Sequence, residues 1–114
     1  LADGAPERTV FHCFSGDAAM ARLCAEQGWY LSFAGTVTFS AAQGLRAALR
    51  EVPLTLLQVE TDAPYLTPHP YRGRPNAPYL AAATTRRLAQ ELDVDLSTLC
   101  RTLWTTAEEL YGPW

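Results

Sequence analysis

The chain of 114 residues contains no lysine: all nine of its basic residues are arginine, set against twelve acidic residues and two histidines. Without lysine there is no Schiff-base amine and no phosphate-cradling loop that ends in Gly-Lys, so both chemistries are excluded within this sequence. Cysteine is scarce and odd in number. Cys13, Cys24 and Cys100 form no Cys-x-x-Cys pair, which gives neither a zinc-finger spacing nor a disulfide framework and predicts a reducing, cytoplasmic setting. No apolar run approaches the roughly 18 residues of a membrane span, and no basic stretch leads into an apolar one as in an export leader, so no membrane partner is expected. A net charge of −3 and a pI near 5.2 argue against a broadly basic nucleic-acid surface and leave room only for a local patch. Low-complexity segments are lacking too. The chain opens on Leu1 rather than Met, and LADGAPERT reads as the tail of a loop entering a strand, so the sequence is expected to be a piece of a longer one.

At 48% hydrophobic and 18% charged residues, the composition suits one globular unit spanning residues 1–114 with a core of its own. Thr9 to Phe14 is β-branched and aromatic and stops at Ser15-Gly16, which predicts a strand. Asp17 is placed to cap the following helix, whose apolar residues Met20, Leu23 and Cys24 recur at helical spacing until Gly28. Trp29 to Phe33 reads as a second strand. Ser40 then caps a helix from Ala41 to about Glu51 with Leu45, Ala48 and Leu49 on its apolar side.

Pro53 breaks that helix, and a third strand is expected from Leu56 to Thr61. Alternation puts Leu57, Val59 and Thr61 on one face and Gln58, Glu60 and Asp62 on the other. A buried parallel strand normally reads apolar throughout, so this polar row marks either a wetted edge or a face that looks into a reaction centre. From Ala63 to Asn76 runs a loop with prolines at 64, 68, 70 and 75, long enough to suggest function. Asn76 and Pro78 suit the start of a helix on which Leu80, Thr84, Leu88 and Leu92 align. A last helix from Leu96 to about Leu110 is capped by Asp95 or Ser97 and ended by Gly112-Pro113.

Strand, helix, strand, helix, strand, helix, helix implies a parallel α/β sheet. Three strands make either a small open sheet or part of a (β/α)8 barrel. In both, active groups gather at the carboxyl ends of the strands, and those ends carry His12 with Ser15, then Ser32 with Gly35, then Glu60 with Asp62. Imidazole and carboxylate are the ligand types of hydrolytic divalent-metal centres. His12 and Asp62 are therefore candidate ligands, with Glu60 one layer deeper as a group that holds a ligand in place. Arg72 offers a fork of donors suited to phosphate oxygens, and Tyr65, near Asp62, could meet a base or sugar. His69, between two prolines, is expected to be non-ligating.

Three blocks, VFHCFSG at 10–16, YLSFAGTVTF at 30–39 and LLQVETDAPYLTPHPYRGRPNAP at 56–78, resemble the TatD family of metal-dependent deoxyribonucleases within the amidohydrolase-like barrel hydrolases. The resemblance runs from Val10 to about Gly112. It implies the last three strand-helix units of a (β/α)8 TIM barrel plus a terminal helix. It also implies that His12 and Asp62 bind Mg, Mn or Zn, one or two ions per complete site, and that Asp62 helps activate the attacking water. Arg72 and Asn76 would lie on the loop over the substrate, with Ser15 and Tyr65 beside it, and DNA would be the substrate. A His-x-His strand, a mid-barrel Glu and a further His belong to the family pattern and are absent here, so the missing N-terminal part of the barrel is an expected partner. Arg74 and Thr106 stand where relatives often carry Lys and Asn. A reading of another class is a small α/β binding or assembly module in which His12 and Asp62 are structural.

Overall fold

The computed structural model describes residues 8–112. The loop tail expected at the start, up to Glu7, and the Pro113 stop lie outside the described residues. Three parallel strands form one sheet in the order β1 (Val10–Phe11), β2 (Tyr30–Phe33), β3 (Leu57–Val59). Val10 and Phe11 pair with Tyr30 and Leu31, and Leu31, Ser32 and Phe33 pair with Leu57, Gln58 and Val59. Each strand is followed by a helix: α1 (Ala18–Glu26), α2 (Gln43–Leu49) and α3 (Ala81–Leu92), with α4 (Leu96–Tyr111) last.

The predicted order of elements holds, and the departures sit at element ends. The first strand stops at Phe11 rather than Phe14, because the chain turns at His12-Cys13, where Cys13 takes a left-handed φ of 47°. Pairing resumes beyond the turn, where the Phe14 N–H donates to the Ser32 carbonyl at 2.8 Å. The third strand likewise runs only from Leu57 to Val59, although the Glu60 N–H still donates to the Phe33 carbonyl at 3.0 Å. Asp62 has φ 55°, so it leaves the strand alternation and is placed by the loop.

Asp17 caps α1, accepting the Met20 N–H at 2.9 Å, and Gly28 ends the helix with φ 73° while the Trp29 N–H reaches back to Cys24 O. Ala21 and Cys24 are the residues of α1 that are buried, whereas Leu23, expected in the core, is 40% exposed. Of the two candidate caps for α4, Asp95 is the one used: its Oδ2 accepts the Thr98 N–H at 3.1 Å.

Ser40 does not cap α2. A 3-10 turn at Gly35–Thr38 precedes that helix, and its N-cap, Ala42, makes no side-chain bond. The physical reason is Arg46, buried on α2, whose guanidinium donates to the carbonyls of Val37, Phe39 and Ser40 and draws the preceding chain around itself. Arg46 also lies 3.7 Å from Glu91 of α3, which accepts from Arg50 at 2.6 Å and from Arg87 at 2.9 Å. One carboxylate thus engages three guanidinium groups, and two of them, Arg46 and the C-cap Arg50, tie α2 to α3.

Leu31, Phe33, Leu49, Leu57, Leu88 and Leu99 are fully buried between the sheet and the helices. Each adds roughly 2–3 kcal/mol of transfer free energy. Thr84 and Leu88 carry the buried face of α3 as expected, and Thr106 is buried with its hydroxyl donated to Thr102 O at 2.8 Å. Among the described residues no helix is long and apolar enough to cross a membrane.

Candidate functional site

Because all three strands run parallel, their carboxyl ends deliver His12, Gly35 and Glu60 to one edge of the sheet. Glu60 organises this edge. Its Oε2 lies within ion-pair range of His12 Nδ1, at 2.9 Å, and accepts the Cys13 N–H at 3.0 Å. The left-handed turn at Cys13 is what lets its backbone N–H meet this carboxylate beside the imidazole. The imidazole turns its Nδ1 edge toward Glu60, and its Nε2 has no protein partner among the described residues on a side chain that is 71% exposed. Glu60 itself is mostly buried, and its other oxygen, Oε1, is buried with no hydrogen-bond partner.

The Cys13 thiol is pushed above its ordinary value, first by burial and then by the nearby carboxylates of Glu60 and Asp62.

Asp62 stands exposed where β3 gives way to the long loop, and the loop is built to hold it. The Tyr65 N–H donates to Asp62 O at 2.9 Å. Asn76 is buried under this turn, its Nδ2 donating to Thr61 O and to Tyr65 O, both at 2.7 Å. Asn76 was expected as the cap of the following helix, but a 3-10 turn at Pro78–Leu80 leads into α3 instead, and the Asn76 amide is spent on bracing the loop. Buried and bonded in this way, it shapes the backbone on both sides of Asp62 rather than offering its amide to solvent. Gly35 supports the same loop from β2, since a Cβ there would overlap the Leu66 carbonyl oxygen and come within 3.0 Å of Pro68 N.

Ser15 shares a hollow of about 260 Å³ with His12, Cys13 and Gly16. Tyr65 is 70% exposed beside Asp62. Arg72 sits elsewhere on the loop, its guanidinium 3.9 Å above the Phe39 ring, and no hydrogen bond or ion pair joins it to His12, Glu60 or Asp62 among the described residues. The His69 backbone N–H donates to Thr38 Oγ1 at 2.8 Å, which anchors the loop to the turn after β2. Sequence reasoning missed Cys13, Phe39 and Arg46. No local pattern marks a backbone donor, a ring that carries a guanidinium, or an arginine buried on an otherwise apolar helix face.

The donor chemistry suits part of a divalent-metal centre: an imidazole with its Nδ1 against a buried carboxylate, and an exposed carboxylate at Asp62. No group of three or more His, Cys, Asp or Glu side chains able to hold a metal ion occurs among the described residues.

A family model described as TatD related DNase matches residues 2–112. An uncharacterized metal-dependent hydrolase, TatD of Mycobacterium tuberculosis, is 48% identical over 111 residues, covering 97% of this chain and 42% of that protein. YabD of Bacillus subtilis, also named an uncharacterized metal-dependent hydrolase, is 35% identical over 102 residues, covering 90% of this chain and 40% of that one. The crystal structure of YJJV, a TatD homolog from Escherichia coli K12, has a TM-score of 0.87 at 28% identity, covering 96% of this chain and 42% of that chain. A TatD family hydrolase from Entamoeba histolytica matches in fold, with a TM-score of 0.80 at 14% identity over 93% of this chain and 43% of that one. The chain spans about two-fifths of the length of the curated relatives it matches, and its sheet and helices are three strand-helix units of a (β/α) barrel with an extra terminal helix. On these matches, the chain belongs to the TatD-related DNase family of metal-dependent hydrolases.

Proposed function

We propose that the protein hydrolyses phosphodiester bonds in DNA, in the manner of an exonuclease, at the strand ends that carry His12 and Asp62. The observation that supports this most directly is the approach of His12 Nδ1 to Glu60 Oε2 at 2.9 Å, which turns the other ring nitrogen, Nε2, away from the carboxylate and toward a ligand. His12 Nε2 and the Asp62 carboxylate would hold the ion, and Mg, Mn and Zn all accept such donors. A divalent ion bound there supplies Lewis acidity toward water and toward a phosphoryl oxygen, once or, with a second ion, on both sides of the scissile bond.

The chain's own residues do the remaining work. Asp62 accepts the proton of the attacking water. Glu60, acting through His12 and the Cys13 amide, keeps the imidazole in one orientation. Arg72 binds a phosphate oxygen of the strand, Tyr65 stacks on a base or sugar, and Ser15 donates to the substrate from the hollow beside His12. Asn76 keeps Asp62 and Tyr65 in register. With two candidate donors here and relatives more than twice as long, the other donors are proposed to come from barrel units outside this chain, and the cytoplasm is the proposed location.

The test is hydrolysis of single-stranded DNA by the full-length protein. His12→Ala and Asp62→Ala should each lower turnover by at least a hundredfold while the thermal midpoint stays near that of the parent. Parent-level turnover in Asp62→Ala would overturn the assignment.

A further inference from the structure

A second hollow, of about 240 Å³, lies where α3 meets the turn after β2 and the middle of the long loop. Its lining includes Thr38, His69, Tyr71, Arg86, Arg87 and Gln90 and contains neither Asp nor Glu. In a chain with twelve acidic residues and nine basic ones, a hollow with two arginines and no carboxylate is a local inversion of the charge balance. The donors are also available. The side chains of Arg86, Gln90, His69 and Tyr71 have no partner among the described residues. Arg87 donates through Nε to Glu91 at 2.9 Å, which fixes the plane of its guanidinium and leaves its terminal nitrogens unused.

Glu91 does not neutralise this region, because Arg46 and Arg50 engage the same carboxylate. Three guanidinium groups on one carboxylate leave a surplus of two positive charges, and Arg86 adds a third. Planar guanidinium forks next to neutral donors match the oxygens of a phosphate.

We propose that this hollow is a phosphate-binding site and that its occupant is a phosphodiester group of a single nucleic-acid strand, held apart from the reacting bond. The choice of a strand rests on the nuclease reading above, since His69 and Tyr71 belong to the same loop as Asp62 and Arg72. A strand that enters past Arg72 would meet a second cationic contact here, which sets affinity and register without touching the chemistry.

The test uses the full-length, metal-loaded protein, a single-stranded oligonucleotide with non-hydrolysable phosphorothioate linkages, and, separately, inorganic phosphate. Arg86 is exposed on α3, so Arg86→Gln leaves the core untouched, and Arg86→Glu reverses the charge. Binding of the oligonucleotide should weaken severalfold in Arg86→Gln and further in Arg86→Glu, inorganic phosphate should follow the same order, and kcat on saturating DNA should stay unchanged. The slope of log affinity against log salt should become shallower by about 0.7, as expected for one lost phosphate contact on a single strand. Unchanged oligonucleotide affinity and salt slope in both variants would overturn the site while leaving the nuclease reading intact. Phosphate binding that responds to Arg86 in a protein whose parent form binds no oligonucleotide would overturn the strand as occupant, and the failure would then lie with the nuclease reading.

Discussion

Glu60 shows how one side chain converts a strand end into a site. Its Oε2 accepts the Cys13 N–H and faces His12 Nδ1 at 2.9 Å, so it meets both the backbone turn and the imidazole. The sequence made Glu60 legible as a polar residue behind Asp62, but the contact that links it to His12 spans 48 positions and follows from the sheet register alone. The cysteines provide a test at the same scale. Cys24 is fully buried and Cys100 exposed. Burial raises the Cys24 thiol above the ordinary 9.0, so iodoacetamide at pH 8 should label Cys100 and spare Cys24 until urea unfolds the chain; peptide mass mapping that finds both modified together would contradict this. The sign of the linkage follows. The folded state holds the Cys24 proton more tightly than the unfolded chain, so this group's contribution to stability is full below pH 9.0 and is lost as the pH rises through the folded value. Urea titrations of parent and Cys24→Ala should therefore give a stability difference that shrinks above that pH.

At the scale of elements, the strands and helices expected from periodicity are present, and the corrections fall where long-range contacts act. Arg46 illustrates the cause. Its guanidinium binds three carbonyls of the preceding turn and faces Glu91 from α3, and the helix starts at Gln43 rather than at Ala41. Glu91→Gln would leave Arg46, Arg50 and Arg87 facing one another without a counter-charge. A loss of about 3 kcal/mol is expected, as for removal of one partner from a mostly buried ion pair, read as a lower urea midpoint with an unchanged m-value. Gly35 governs a different junction. Gly35→Ala would press a methyl group onto the backbone of Leu66 and Pro68, displacing the loop that carries Asp62. The expected result is about 1–3 kcal/mol of destabilisation, as in overpacked sites, together with a fall in turnover. A fully active Gly35→Ala protein would show that the loop tolerates the shift.

For the molecule as a whole, three paired strands leave the outer edges of β1 and β3 without neighbours in the described sheet. The chain covers about two-fifths of its curated relatives, and no three-donor metal group occurs among the described residues. A chain of these 114 residues, desalted after incubation with Mn or Zn, should therefore retain well under one ion per molecule by elemental analysis. Full-length protein carried through the same procedure should retain at least one. Stoichiometric metal on the short chain would mean that His12, Asp62 and Glu60 suffice as a donor set.

The amino-acid sequence by itself determined the alternation of strands and helices, the cap at Asp17, the buried face of α3 and the placing of His12 and Glu60 at strand ends. Each of these depends on neighbours within a few residues, through side-chain period, a capping oxygen or a strand-breaking turn. Only the tertiary structure decided that Glu60 grips His12, that Asn76 braces the Asp62 loop instead of capping a helix, that Phe39 seats Arg72, and that Arg46 is buried. Such contacts join residues 11 to 48 positions apart or depend on which backbone carbonyls the packed chain leaves open, and no local pattern encodes them.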